Sequence, residues 1–126
     1  MAELKKILHV EDESDIREVV LMALEAIGGF TVESCESGDE ALKKSPNFMP
    51  DLFLMDIMMP GMDGPATLEE LRKVPEFANT PVIFMTAKAQ AEEIARFKGH
   101  GALDVITKPF DPMTLSDQIR TIWDNI

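Results

Sequence analysis

The stretch LFLMDIMMPGMDGP, residues 52–65, decides the fold because it joins a buried strand to a turn-rich loop. Its first four residues are apolar without alternation, which is typical of a central parallel strand covered on both faces. The run ends on a carboxylate, Asp56. Pro60-Gly61 and Asp63-Gly64 then predict turns. The stretch therefore raises the question of why a buried strand ends on a carboxylate.

Outward from this stretch, short apolar runs alternate with helical patterns. Runs of this kind predict strands at 7–10, 30–32, 52–55, 82–85 and 105–106. Apolar residues spaced three and four apart predict helices between the strands. The first helix should turn Ile27 inward, and Pro46 should limit the second. The remaining helices should begin at Pro65, near residue 89 and at Pro112, and we expect Ala91, Ile94 and Ala95 to face inward in the fourth.

The strict alternation of strand and helix predicts a doubly wound α/β fold, (βα)5, with a parallel sheet and helices on both faces. Each crossover should be right-handed. No linker or low-complexity tract interrupts the pattern, so we expect residues 1–126 to form a single domain. In such sheets, ligands bind beyond the carboxyl ends of the strands.

Composition limits the function. The chain has 126 residues, 45% of them apolar, and a formal net charge of -11. Excess negative charge argues against direct binding of nucleic acid, which requires Lys and Arg to neutralise phosphates. No apolar run approaches membrane-spanning length, so we expect no membrane insertion. One cysteine and no signal peptide predict a cytoplasmic protein.

Polar residues end four of the five predicted strands. Because the carboxyl ends of parallel strands share one edge, these side chains should converge. They are Glu11 and Asp12 after strand one, Asp56 after strand three, Thr86 after strand four, and Thr107 and Lys108 after strand five. Each residue taken alone has a simpler explanation as a cap, a turn former or a solvated charge, but their joint position favours a site.

The converging groups suit phosphoryl chemistry. Three neighbouring carboxylates repel one another, and a hard divalent cation such as Mg²⁺ would relieve the repulsion. The lysine and the threonine could bind the oxygens of a phosphoryl group. An aspartate can itself attack phosphorus and form an aspartyl phosphate. Asp56 would then end a rigid strand because an attacking carboxylate must be held in place.

The segments ILHVEDE, LFLMDIMMPGMDG, PVIFMTA and ITKPF, in this order and spacing, resemble the receiver domain of two-component response regulators. The resemblance covers essentially the whole chain and implies a stand-alone, chemotaxis-receiver-like domain with strand order 2-1-3-4-5. It implies that Asp56 accepts a phosphoryl group from the phosphohistidine of a sensor kinase or phosphotransfer protein. The output would be a changed binding surface for a downstream partner protein.

The resemblance also implies residue roles. Mg²⁺ would be bound by Asp12, Asp56 and the backbone carbonyl of Met58, with Glu11 acting through water. Lys108 would pair with the phosphoryl oxygens, and Thr86 would move toward them. The Lys108–Pro109 peptide bond is often cis in the family. Our own hypothesis is that the backbone after Thr86, through Ala87 and Lys88, carries the signal to the fourth helix.

Two residues depart from the family pattern. Glu11 stands where many receivers have aspartate, and its longer side chain could shift the water-bridged contact. Val105 stands where many receivers have an aromatic residue whose rotation follows the threonine. A signal relayed by an aromatic ring is therefore not expected in this chain.

Three alternatives compete with the switch. An aspartyl-phosphate phosphatase would need an acid two residues after the nucleophile, and Met58 occupies that position. A flavodoxin-like electron carrier would need aromatic side chains to stack on a flavin, but the chain has no Tyr and one Trp. A degenerate receiver used only for docking would not need Asp56, Thr86 and Lys108. We therefore expect a phosphoacceptor switch with at most slow autodephosphorylation, not an enzyme.

Overall fold

The structure, a computed structural model, describes residues 3–87 and 90–126, and these residues build a parallel sheet flanked by helices. The strands are β1 (Lys6–Val10), β2 (Thr31–Cys35), β3 (Leu52–Asp56), β4 (Val82–Thr86) and β5 (Asp104–Thr107). The α-helices are α1 (Ser14–Met22), α2 (Gly38–Phe48), α3 (Gly64–Arg72), α4 (Ala91–Gly99) and α5 (Leu115–Asp124). The strand order is β2-β1-β3-β4-β5, with every pairing parallel, which confirms the predicted fold class.

The sheet separates two apolar cores. All residues of β3 and β4 are buried, as expected for central strands covered on both faces. Because side chains alternate along a strand, Phe53 and Met55 pack under α2, α3 and α4, whereas Leu54 packs under α1 and α5. Within the described residues, no helix is long and apolar enough to cross a bilayer.

The end of the first helical region departs from the prediction. Residues Ala23–Ile27 form a π-helical turn, in which the Gly28 N–H donates to the Ala23 carbonyl at 3.1 Å. A wider turn rotates the residues that follow away from the α-helical phase. Ile27, predicted to face inward, is therefore 44% exposed.

Two prolines do not bound helices as predicted. α2 continues through Pro46 to Phe48, because proline removes only its own amide from the helix, and the Met49 N–H that follows the helix still donates to the Ser45 carbonyl at 2.8 Å. Pro112 lies in a turn closed by Asp111, whose carbonyl accepts from the Thr114 and Leu115 amides. α5 therefore begins at Leu115, three residues after Pro112.

The inward face of α4 was also predicted wrongly. Ala91 and Ala95 are exposed, Ile94 is half-buried, and Phe97 is the buried residue of the helix. Phe97 packs edge-on against Phe84 of β4, with ring centroids 5.6 Å apart. A phenylalanine buries far more apolar surface than two alanines, and this gain sets the rotation of the helix. The predicted start of the helix, Ala89, lies outside the described residues.

Candidate functional site

The carboxyl ends of the strands meet at one edge of the sheet, where the predicted polar residues lie. Asp56, the last residue of β3, is paired in register with Met85 of β4, and Thr86 is paired with Thr107 of β5. Glu11 follows β1 directly, and its N–H donates to the Cys35 carbonyl at 3.0 Å. The topology thus brings the ends of four adjacent strands together around Asp56.

Three carboxylates form a cluster at this edge. One oxygen each from Glu11, Asp12 and Asp56 lies within 4.8 Å of the others. Glu11 is 1% exposed and Asp56 is 8% exposed, so two of the three negative charges are shielded from bulk water. This all-oxygen set fits a hard divalent cation such as Mg²⁺, which binds carboxylates and retains several waters.

Lys108 supplies the positive charge of the site. Its Nζ lies 2.6 Å from Glu11 Oε1 and 3.2 Å from Asp56 Oδ1. The Lys108 N–H donates to the Thr86 carbonyl at 2.8 Å, which joins the start of the loop to the end of β4. The Lys108–Pro109 peptide bond is cis. One ammonium group therefore bridges a carboxylate of β3 and the carboxylate that follows β1.

Arg17 holds the loop after β1, a role that the sequence reading missed. Its Nη1 donates to the Glu11 carbonyl at 2.8 Å and to the Asp12 carbonyl at 3.4 Å. The Glu13 N–H also donates to Glu11 Oε2 at 3.3 Å. The only hint in the sequence was a basic residue one turn into a helix that follows an acidic loop.

Gly64 allows the loop after β3 to approach the strand end. A Cβ placed on Gly64 would lie 2.5 Å from the Asp56 carbonyl oxygen, too close for any other residue without movement of the backbone. The Gly64 N–H donates to the Ile57 carbonyl at 2.8 Å, and the Asp63 carboxylate caps α3 by accepting from the Ala66 amide at 2.8 Å. The turn predicted from Asp63-Gly64 therefore helps to fix Asp56.

Asp56 is the carboxylate of the cluster whose pKa is raised by its surroundings. Burial, and next the negative charge of Glu11, raise the pKa of Asp56 from 3.8 to about 6, although Lys108 opposes the change. Burial opposes the charge of Lys108, but Glu11 and Asp56 outweigh it and raise the pKa of that ammonium. Lys108 therefore stays protonated at neutral pH, whereas the pKa of Asp56, about 6, lies close to neutral pH.

This shift predicts a pH-dependent stability in the absence of metal. Because the pKa of Asp56 is higher in the folded chain, protonation favours folding, and its contribution grows as the pH falls through about 6 toward 3.8. Between pH 7.5 and pH 5, the free energy of unfolding of the wild type relative to Asp56→Asn should rise by roughly 1 kcal/mol. Urea denaturation with a chelator measures this, and a difference that stays constant or falls would contradict the assignment.

A groove of about 610 Å³ opens beside Asp56. Its lining includes Met58, Ala87, residues of the first turns of α1 and the segment after β5. Met58 is 74% exposed, whereas Thr86 is buried. Val105 lies elsewhere, opposite Phe84 in register and packed against the core under α4. Asp56 is thus reachable from the groove by a small molecule.

The chain is similar to known regulators along its sequence. The family model of the response regulator receiver domain matches residues 7–120. The chain is 37% identical over 122 residues to the phosphate regulon transcriptional regulatory protein PhoB of Escherichia coli, a match that covers 97% of this chain and 53% of the relative. It is 40% identical over 119 residues to the transcriptional regulatory protein ResD of Bacillus subtilis, with 93% and 47% covered. The chain therefore spans about half the length of these curated relatives.

Solved structures resemble it over nearly the whole chain. The chemotaxis response regulator CheY4 of Vibrio cholerae superposes with a TM-score of 0.86 at 30% identity, covering 95% of this chain and 99% of that one. The receiver domain of the Francisella response regulator 1452 gives a TM-score of 0.83 at 29% identity, with 96% and 98% covered. The predicted family resemblance is confirmed.

Proposed function

The chain belongs to the response regulator receiver domain family of two-component systems, and we propose that Asp56 is its phosphoacceptor. The observation that carries the proposal is the placement of the Asp56 carboxylate, 3.2 Å from Lys108 Nζ and within 4.8 Å of the Glu11 and Asp12 oxygens. The donor in this proposal is the phosphohistidine of a sensor kinase or phosphotransfer protein.

In the proposed reaction, a carboxylate oxygen of Asp56 attacks phosphorus as the bond from phosphorus to the imidazole nitrogen breaks. The electron pair of that bond stays on the nitrogen, and the product is an acyl phosphate on Asp56. The β3 backbone and the Gly64 turn hold the attacking group in place. Lys108 supports the reaction because its ammonium lies where the negative oxygens of the phosphoryl group would collect.

Asp12, Asp56 and the backbone carbonyl of Met58 are the proposed ligands of Mg²⁺, with Glu11 acting through water. The cluster fits this ion because the available donors are oxygens and two of the carboxylates are buried with limited compensating charge. When bound, Mg²⁺ supplies positive charge that offsets the carboxylates and the incoming phosphoryl oxygens. The oxygen ligands favour a hard cation such as Mg²⁺, since no thiol or imidazole belongs to the cluster.

The proposed output is a change of binding surface, so the protein is a switch and not an enzyme. Thr86, buried at the end of β4, would move toward the phosphoryl group, and the backbone at Ala87 would follow. Lys88, the next residue in this route, lies outside the described residues. We propose a cytoplasmic receiver domain spanning 1–126, with a downstream protein as the partner and no direct contact with nucleic acid or insertion into a membrane.

Phosphoramidate tests the function because its phosphorus–nitrogen bond is of the type that breaks in transfer from phosphohistidine. Incubation with this donor and Mg²⁺ should add one phosphoryl group to the intact mass, and excess chelator should prevent it. Hydroxylamine should remove the added group, since it cleaves acyl phosphates. No added mass, or a product stable to hydroxylamine, would contradict the proposal.

The route of the signal gives a further prediction. Val105 is a short, β-branched residue with restricted χ1, so it is a poor replacement for a rotating aromatic ring. Val105→Ala should therefore leave phosphorylation-dependent changes at α4 largely intact, whereas Thr86→Ala should weaken them and still permit phosphorylation. Amide hydrogen exchange with and without beryllofluoride measures this. Changes confined to β5 and absent from residues 91–99 would show that the signal takes another route.

A further inference from the structure

A second groove, of about 680 Å³, lies between α3 and α4, apart from the acidic cluster. Its volume is in the range of sites for small molecules. Leu68 of α3, Phe84 of β4 and Phe97 of α4 give it an apolar floor, and the two aromatic rings meet at an interplanar angle of 63°. These three residues are only 1–7% exposed, so they offer a planar apolar body a narrow strip of contact at the bottom of the groove.

The walls of the groove are basic although the chain is acidic. Arg72, Arg96 and His100 line it, and among the described lining residues Glu69 is the only one with a carboxylate. The formal net charge of the chain is -11, so two guanidinium groups in one groove are a local reversal of the prevailing charge. The groove is therefore suited to an anion.

Neither guanidinium forms an ion pair with a carboxylate of the described residues. Across residues 3–87 and 90–126, no carboxylate oxygen lies within 4.0 Å of Arg72 or Arg96. Arg72 Nη1 donates to the Phe77 carbonyl at 2.7 Å and to the Thr80 carbonyl at 2.6 Å, which fixes the side chain. These bonds leave the Nη2 and Nε donors of Arg72 for another acceptor.

Arg96 is held over the same floor. Its guanidinium carbon lies 5.1 Å from the centroid of the Phe97 ring, a cation–π contact that keeps the group at the rim. Arg72 is half-buried, and burial lowers its pKa because the charge loses water. A bound carboxylate would place a negative charge beside both guanidinium groups. Its two oxygens match the paired N–H donors of a guanidinium.

We propose that the groove between α3 and α4 binds a small organic anion of the aromatic carboxylate class. The ring would lie on Leu68, Phe84 and Phe97, and the carboxylate would meet Arg72 and Arg96. Inorganic phosphate lacks the apolar body that would cover the floor, and a metal cation would be repelled by the arginines. This groove shares no lining residue with the groove beside Asp56, so ligand binding here does not depend on phosphorylation of Asp56.

A pair of matched probes tests the proposal. In an NMR titration of the wild-type chain, 2-naphthoate should shift the amide signals of Ala66, Leu68 and His100 in a saturable way. Its neutral analogue 2-naphthamide has nearly the same shape and should bind at least roughly tenfold more weakly, because it lacks the charge that the arginines recognise. Equal binding of the two probes, or saturable shifts only at Ile16 and Val19 of the other groove, would overturn the proposal.

Substitutions show whether probe binding depends on the arginines of the groove or only on the net charge of the chain. Arg96 is exposed and outside the core, so Arg96→Gln should fold and should weaken 2-naphthoate binding by roughly tenfold. Lys98→Gln removes the same charge from the same helix outside the groove and should change binding less than about twofold. Asp56→Asn should bind the probe as the wild type does. Equal losses in Arg96→Gln and Lys98→Gln, or none in Arg96→Gln, would show that the groove is not the site.

Discussion

Asp12→Ala is expected to lower the affinity for Mg²⁺ by roughly 100-fold or more, since even residues behind a metal ligand contribute about 10- to 100-fold. The same substitution should leave the metal-free stability equal to or above that of the wild type. The reason is the cluster itself: the Asp12 oxygen lies within 4.8 Å of two buried carboxylates, and its removal relieves repulsion. A loss of binding with no loss of stability is the signature of a residue kept for its ligand.

Isothermal titration with MgCl₂ gives the affinity, and urea denaturation with a chelator gives the stability. Asp15→Ala is the matched control because this exposed carboxylate lies three residues away at the start of α1 and outside the cluster. It should bind Mg²⁺ nearly as the wild type does. Wild-type affinity in Asp12→Ala would mean that the metal site is assigned to the wrong residues.

Lys108→Met is expected to destabilise the metal-free protein by about 2–4 kcal/mol at pH 7.5, because it leaves buried charge without a partner. The substitution keeps the length of the side chain and removes the ammonium that lies 2.6 Å from Glu11 and 3.2 Å from Asp56. It should also raise the pKa of Asp56 further, since Lys108 is the group that lowers it. Phosphorylation by a small donor should slow for the same electrostatic reason.

A double-mutant cycle tests this assignment. If Lys108 acts through Asp56, Asp56→Asn should recover part of the lost stability, and it should stabilise Lys108→Met more than it stabilises the wild type. Urea denaturation of the four proteins with a chelator gives the coupling energy, which should be about 1–2 kcal/mol. Strictly additive effects would mean that Lys108 stabilises the fold independently of Asp56.

The sequence predicted the sheet well because its signals are local and repeated. The unbroken apolar runs of β3 and β4 indicate strands that are buried on both faces. Such strands are typical of a parallel sheet with helices on each side. The polar residues at the strand ends then follow from the topology. For this reason Glu11, Asp12 and Asp56 could be expected to meet before any coordinates were known.

The errors arise where tertiary contacts override local pattern. The π-helical turn at Ala23–Ile27 is supported by α5, whose Ser116 hydroxyl donates to the Ala23 carbonyl at 2.8 Å. Helical periodicity carries no information about such a contact between distant helices. The rotation of α4 is likewise set by the packing of Phe97 on Phe84, which no spacing rule within the helix reveals.

The basic groove was missed for the same reason. Arg72 and Arg96 lie on helices separated by β4, and only the fold brings both to one cavity. Arg17 was missed because its role depends on the carbonyl groups of a loop and not on a side-chain pair. Backbone acceptors are present at every residue, so their use leaves no mark on the sequence.

The central claim is that Asp56 is the phosphoacceptor, and intact-mass spectrometry of Asp56→Asn tests it most directly. The wild type, Asp56→Asn and Asp15→Asn are incubated with acetyl phosphate and Mg²⁺, the last as a control because the exposed Asp15 carboxylate lines the same groove. The wild type and Asp15→Asn should each gain one phosphoryl group, and Asp56→Asn should gain none. An equal gain of mass in Asp56→Asn and the wild type would contradict the account.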